Sequence, residues 1–213
     1  MHHTGRKIGC SFMRASVEVG TNTGSQTEQL DTGDKFLFTF EPSPILYNEC
    51  VNKFKDSATI VVLPFAVDVH NSVKFFNVSV QGDRGFGSLY EFNDNLQDTE
   101  LKIYEEFRVP FAFKQKVLTV RLDTFMDNWD IDGIDYLWID AQGNDFNCIK
   151  SLGDRIKDVK EGQCECTWEI PLYNGPDNYY ENVKKYLEDV GGFKVEVAYE
   201  HQHKSEIDLK FYR

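Results

Sequence analysis

The chain has 213 residues, enough for one sizeable domain, and its composition (41% hydrophobic, 27% charged) is that of an ordinary globular protein. A formal net charge of −12 argues against binding along a phosphate backbone or docking on an anionic membrane, and reads instead as a well-solvated surface. No apolar run reaches the roughly 20 residues needed to cross a bilayer. The first residues lack the apolar stretch of a signal peptide, so a cytoplasmic protein with no membrane insertion and no nucleic-acid partner is expected.

The five cysteines (Cys10, Cys50, Cys148, Cys164 and Cys166) are odd in number and scattered, which reads as reduced thiols. Cys164 and Cys166 are too closely spaced for a usual zinc or redox motif, and in a strand they share one face. No metal ligand set is expected. Seventeen phenylalanines imply a core filled largely by aromatic rings.

Residues 1–15, with His2 and His3, read as a flexible N-terminal segment preceding one domain over 16–213. Residues 15–19 form a short apolar run followed by Gly20-Thr21-Asn22-Thr23-Gly24. A helix is expected from Ser25, with Ser25 as a possible cap and Glu28 three residues on. Strand, glycine turn and helix in that order make half of a βαβ unit. Residues 35–40 are the second strand, stopped by Glu41-Pro42, and 45–54 a helix. Residues 59–63 are a third strand, rich enough in Ile and Val to be buried on both faces.

Residues 65–95 change character and read as a hairpin or long loop over the sheet edge. A strand at 117–122 and a helix at 123–129 follow. Residues 136–139 are an apolar strand closed by Asp140, then a helix at 146–152 and a strand at 163–170. Residues 178–190 carry Tyr179, Val183, Tyr186, Leu187 and Val190 at helical spacing, and Gly191-Gly192 ends that helix. The last two strands, 193–199 and 207–212, are joined by a short polar turn and so must be antiparallel. The fold class is therefore α/β: a mostly parallel seven-stranded sheet with helices on both faces and one antiparallel strand near the C-terminus.

In such a sheet ligands bind beyond the carboxyl ends of the strands. The residues standing there are Glu18 with Gly20 to Gly24, Glu41, Ala66 to Asp68, Asp140 with Gln142 and Gly143, and Glu165. Acids at these places do not suit an anion. The first loop is G-x-x-x-G, neither the G-x-G-x-x-G dinucleotide fingerprint nor a phosphate loop, which weighs against a nicotinamide-dependent oxidoreductase. Glu41 has the chemistry to accept both hydroxyls of a ribose, or to act as a helix-capping acid near Pro42.

Taken together, four pieces resemble the FkbM-type methyltransferases. Val17-Glu18-Val19-Gly20-Thr21-Asn22-Thr23-Gly24 is similar to that family's first motif, Phe40-Glu41-Pro42-Ser43-Pro44 to its second and Leu63-Pro64-Phe65-Ala66-Val67 to its third. Leu122-Asp123-Thr124-Phe125, with Ile134 to Gly143, resembles its longest block. The resemblance implies a Rossmann-like class I methyltransferase fold and S-adenosylmethionine as cofactor. It implies that Glu18, Gly20, Asn22 and Gly24 face the methionine part. Glu41, with Pro42 after it, would hold the ribose. Ala66, Val67 and Asp68 would lie by the adenine, and Asp140 beside the sulfonium and the acceptor.

The chain departs from the pattern at Trp138, where the family has Lys, and at Gln142, where it has Glu. Gln is no base, so acid–base work falls to Asp140, then to Glu165, with His70, His201 and His203 as alternatives. The resemblance implies O-methylation of a sugar, glycan or natural-product hydroxyl; Phe86, Tyr90, Phe92, Tyr173, Tyr179 and Tyr180 are aromatics that read mostly as core packing or loop anchors, and otherwise as platforms for a sugar ring. Trp138 and Gln142 keep open a second expectation, a cofactor-binding adaptor or partner subunit without turnover. The chain is short before its first strand, so a substrate-covering N-terminal helix is expected to be missing or supplied by a partner, a homo-oligomer included.

Overall fold

A computed structural model describes residues 13–80, 84–93, 111–201 and 205–213. Among the described residues ten strands and five α-helices follow in chain order: β1 Met13–Val19, α1 Ser25–Leu30, β2 Leu37–Phe40, α2 Pro44–Lys53, β3 Ile60–Leu63, β4 Phe65–Val67, β5 Ser72–Val78, β6 Phe113–Val120, α3 Leu122–Asn128, β7 Ile131–Ile139, α4 Asp145–Lys150, β8 Val159–Thr167, α5 Tyr180–Asp189, β9 Lys194–Glu200 and β10 Glu206–Tyr212. Seven strands form one sheet in the order β3-β2-β1-β7-β8-β10-β9. All neighbours are parallel except β10, which runs antiparallel to both β8 and β9. This is the mostly parallel sheet with an antiparallel C-terminal strand that the order of strands and helices predicts, and the class I methyltransferase topology that the resemblance implies.

The core is apolar on the face of β1 and β2 that carries Ala15, Val17, Val19, Phe38 and Phe40. Phe38 and Phe40 of β2 meet Phe125 of α3 edge to face at 5.2 and 4.9 Å, and Trp129 closes the same cluster. Beneath β8 and β10, Cys164, Cys166, Ile207, Leu209 and Phe211 face α5 through Val183 and Leu187, all buried. The pairing of Cys164 and Cys166 on one face is as the alternation requires, with their sulfurs 3.8 Å apart. Cys50, Cys148, Cys164 and Cys166 are free and buried; Cys10 lies outside the described residues.

Four expectations need correction. The flexible segment expected over 1–15 lies outside the described residues up to residue 12, but Met13 to Ala15 already pair with β7. The third strand is not buried on both faces. β3 pairs only with β2, so it is the sheet edge, and Ile60, Val61 and Val62 stay partly exposed. Ser25 does not cap α1; Gly24 holds the N-cap position in a left-handed conformation, with no side-chain cap bond.

The hairpin or long loop expected after β3 is, over its described residues, part of a second sheet. Here β4 pairs in parallel with β6, and β6 pairs antiparallel with β5. Among the described residues, no helix is long and apolar enough to cross a membrane.

Candidate functional site

The carboxyl ends of β1, β2 and β7 meet at a crevice. β1 lies between the other two, and strand direction reverses no neighbour here, so three loops leave the sheet side by side. The first turns at Gly20, whose backbone N–H donates to Phe40 O at 3.0 Å and whose φ is 89°. A Cβ built on Gly20 would stand 1.9 Å from the backbone oxygen of Asp140, so only glycine lets β1 and β7 release their loops this close together.

Asn22 follows in a left-handed conformation, φ 50°, which Asn tolerates better than most residues. That conformation aims its backbone N–H at Glu41 Oε2, 2.8 Å away. The other carboxylate oxygen of Glu41 accepts the Ser43 N–H at 2.8 Å. Glu41 is therefore fixed at the end of β2 with one backbone donor on each oxygen, and each oxygen keeps a lone pair for a ligand hydroxyl. Burial pushes its pKa up to about 8, against the pull of the Ser43 and Asn22 amides, and Glu18 and Asp140 add to the rise.

The crevice is walled by Gly20, Asn22, Glu41, Pro42, Ala66, Val67 and Asp140 among the sequence-expected site residues. Its remaining wall includes Phe40, Ser43, Leu46, Phe65, Phe76, Arg84, Phe86, Leu89, Gln142 and Asn144. Asn22 Oδ1 and Ser43 Oγ are buried and have no hydrogen-bond partner among the described residues. Two orphaned polar atoms beside a doubly anchored carboxylate, with an apolar wall at Phe65, Val67 and Phe76, fit a ligand that joins hydroxyls and a positive charge to a flat apolar ring. An adenosyl amino acid has that chemistry.

Four expected residues stand elsewhere. Glu18 points away from the crevice, beneath α1, and its Oε2 accepts the Thr27 and Thr39 hydroxyls at 2.6 and 2.9 Å. Burial raises its pKa to about 7 despite those two donors. Gly24 packs beside Phe54. Asp68 is fully buried, ion-paired with Lys74, and has the Asn147 amide at 3.5 Å. Glu165 lines a second, neighbouring pocket with Gly143, Thr167, Tyr173, Asn178 and Glu206. Of the alternative bases, His70 is exposed and walls neither pocket. His201 lies near Asp208, and His203 is outside the described residues.

Asp140 ends β7 with its backbone N–H bonded to Val19 O at 2.9 Å. Its Oδ1 accepts the Gln142 amide at 2.6 Å, and Gln142 Oε1 accepts the Tyr173 hydroxyl at 2.5 Å. The departure at Gln142 thus supplies a donor that holds the Asp140 carboxylate. Asp145 lies below, with its Oδ1 on the Ala141 N–H at 2.9 Å. Burial first, and then Asp140, raise its pKa to about 8. The helix α4 takes Asn144 as its N-cap residue.

Further residues come from the segment between β5 and β6, Tyr90 among them, one of the aromatics read from the sequence as a loop anchor or a platform for a sugar. Ser88 Oγ donates to Gln142 O at 2.7 Å, and Tyr90 OH to Asn144 Oδ1 at 2.8 Å. Asn144 Nδ2 then reaches Val67 O at 2.8 Å. These bonds tie the second sheet to the Asp140 loop and bring Arg84 to Leu89 over the crevice. A sequence signal for the close approach was Gly87, where a Cβ would stand 2.9 Å from the Phe76 ring.

The sequence matches the model of the methyltransferase FkbM domain over residues 18–193. No curated protein matches it. Solved structures similar to it include fibrillarin from Aeropyrum pernix in complex with S-adenosyl-L-methionine (TM-score 0.48, 10% identity, 92% of this chain and 65% of that one). The N-terminal domain of human METTL16 in complex with SAH is another (TM-score 0.46, 11% identity, 95% of this chain and 62% of that one). An rRNA methylase from Streptococcus thermophilus is a third (TM-score 0.42, 7% identity, 95% and 87%). The chain spans less than two thirds of the first two structures it matches. The chain belongs to the FkbM methyltransferase-domain family, whose methyl donor is S-adenosylmethionine.

Proposed function

We propose that this chain transfers the methyl group of S-adenosylmethionine to a hydroxyl oxygen of a sugar, glycoside or similar small molecule. The observation that carries the reading is Glu41, held by the Asn22 and Ser43 amides at the mouth of β2. Glu41 takes the ribose hydroxyls, and Asn22 Oδ1 and Ser43 Oγ take further polar groups of the donor. Ala66, Val67 and Phe76 pack on the adenine. The donor supplies an electrophilic methyl on a positively charged sulfur, and Asp140 and its acidic neighbours favour that charge.

The chain's own work is orientation and proton handling. The acceptor approaches from the side of the second pocket, lined by Gly143 and Tyr173, and presents its hydroxyl to Asp140 at the crevice wall. Asp140 accepts the hydroxyl proton. Gln142, itself fixed by Tyr173, keeps the Asp140 carboxylate aimed. The acid-rich rim disfavours a phosphodiester acceptor, which fits a small neutral or cationic substrate better than a nucleic acid.

Incubation with methyl-labelled donor and a panel of glycosides and hydroxylated small molecules tests this reading. Label on a hydroxyl oxygen, lost in Asp140→Asn, is the expected result. Label on carbon or on RNA would replace the acceptor class.

Gln142 and Trp138 favour one second reading, a partner subunit that binds the donor without turnover. It predicts donor binding with no transferred label on any acceptor, alone or as a homo-oligomer.

A further inference from the structure

We propose that Glu165, His201 and Asp208 form a binding site for one divalent first-row cation of the zinc type, at the edge of the second pocket. Glu165 and Asp208 come from the paired strands β8 and β10, and His201 from the end of neighbouring β9. β8 and β10 pair with Glu165 directly opposite Asp208. Strand alternation puts both on the face opposite Cys164, Cys166, Ile207 and Leu209, which are buried in the core. Two carboxylates directly opposed across a pair of strands repel each other, and a cation between them removes that cost. His201, just after β9, brings an imidazole nitrogen to the same place. One donor atom from each of the three lies within 4.8 Å of the other two.

The spacing of the donor atoms suits a shared cation. His201 Nε2 stands 3.4 Å from Asp208 Oδ1. That is longer than a charge-assisted hydrogen bond, typically about 2.7–2.9 Å. It matches the edge, roughly 3.4 Å, of a tetrahedron whose donors lie about 2.1 Å from a central zinc. Gln163 Nε2 donates to Asp208 Oδ2 at 3.2 Å, which leaves Oδ1 turned toward the imidazole, the outer-shell arrangement that orients ligating carboxylates. The His201 and Asp208 side chains are 26% and 19% exposed, so an ion has a path in.

One imidazole and two carboxylates suit zinc or manganese better than magnesium or calcium. Three protein donors leave a tetrahedral position open, as in catalytic rather than structural sites. Glu165 is shared with the second pocket, so the open position faces it, where a coordinated hydroxyl would lose its proton more readily. That role rests on the acceptor reading of the pocket; occupancy by the ion does not.

The test is calorimetric titration of zinc chloride into the EDTA-stripped full chain, with His2→Ala and His3→Ala removing the tail imidazoles. One ion per chain is expected, bound at least tenfold more weakly after His201→Ala and after Glu165→Gln. Donor binding, measured separately, checks that each variant is folded, and Asp208→Asn serves where one is not. No zinc binding by the parent, or parent-like affinity in the variants, would overturn the proposal. Because the readout is the ion itself, a failed methyl-transfer assay leaves the result standing.

Discussion

Gln142 donates to Asp140 Oδ1 at 2.6 Å while accepting the Tyr173 hydroxyl at 2.5 Å. A residue with no acid–base chemistry of its own thus becomes the positioning group for the proposed base. A hydrogen bond to a charged group contributes about 1.5–3 kcal/mol. Gln142→Ala is therefore expected to lower kcat roughly tenfold or more, with donor affinity changed less than about twofold. Tyr173→Phe should do part of the same. Steady-state kinetics with labelled donor checks both; an unchanged kcat would remove the positioning role.

Gly20 and Gly33 both have positive φ, 89° and 72°, but only Gly20 is crowded. Its Cβ would meet the Asp140 carbonyl, whereas nothing lies within 4 Å of Gly33. Gly33→Ala should cost about 1–2 kcal/mol of stability, the strain of a left-handed residue alone. Gly20→Ala should cost more and abolish donor binding, because β1 and β7 must separate. Urea denaturation of the two variants measures the difference, and equal losses would mean that the crossing at Gly20 is not tight.

Three buried carboxyls have raised pKa values: Glu18 to about 7, Glu41 to about 8 and Asp145 to about 8. In the unfolded chain each titrates near its ordinary value, so between roughly pH 4 and 8 the folded state binds more protons than the unfolded state. Stability must then fall as pH rises through this window. Their contribution is full below the unfolded pKa and gone above the folded one. The ligand-free protein is expected to melt several degrees lower at pH 8.5 than at pH 5.5. A rise in Tm over the same range would contradict the burial of these acids.

The same carboxyls couple donor binding to protons. Ribose hydroxyls donate, so they prefer Glu41 as carboxylate, and binding should release a proton and tighten from pH 6 to pH 8. Calorimetry in buffers of different ionisation enthalpy reads the proton directly; uptake instead of release would be incompatible with Glu41 as the ribose acceptor.

Much of the site was legible in the sequence because it depends on short-range chemistry. Gly20, Asn22, Glu41 and Asp140 sit where a strand ends and a turn begins, and turns announce themselves in residue type. Glu18 was misplaced because strand alternation decides its direction. Its neighbours Val17 and Val19 are buried as well, so nothing in the local pattern told which face carried the crevice.

β7 begins at Ile131 rather than 136 because β1 pairs along its whole length, and Arg14 packs against Gly133. That pairing outweighs glycine's poor strand propensity. The roof from Arg84 to Leu89 depends on bonds from Ser88 and Tyr90 to residues 54 positions away, and no local pattern reports contacts of that separation.

The measurement closest to the central claim is calorimetric titration of S-adenosylmethionine into the wild-type chain and Glu41→Ala. Saturable binding to the wild type, weakened at least tenfold by the substitution, is the outcome predicted from the anchored carboxylate. Equal affinity in both, or no binding to the wild type, would contradict it.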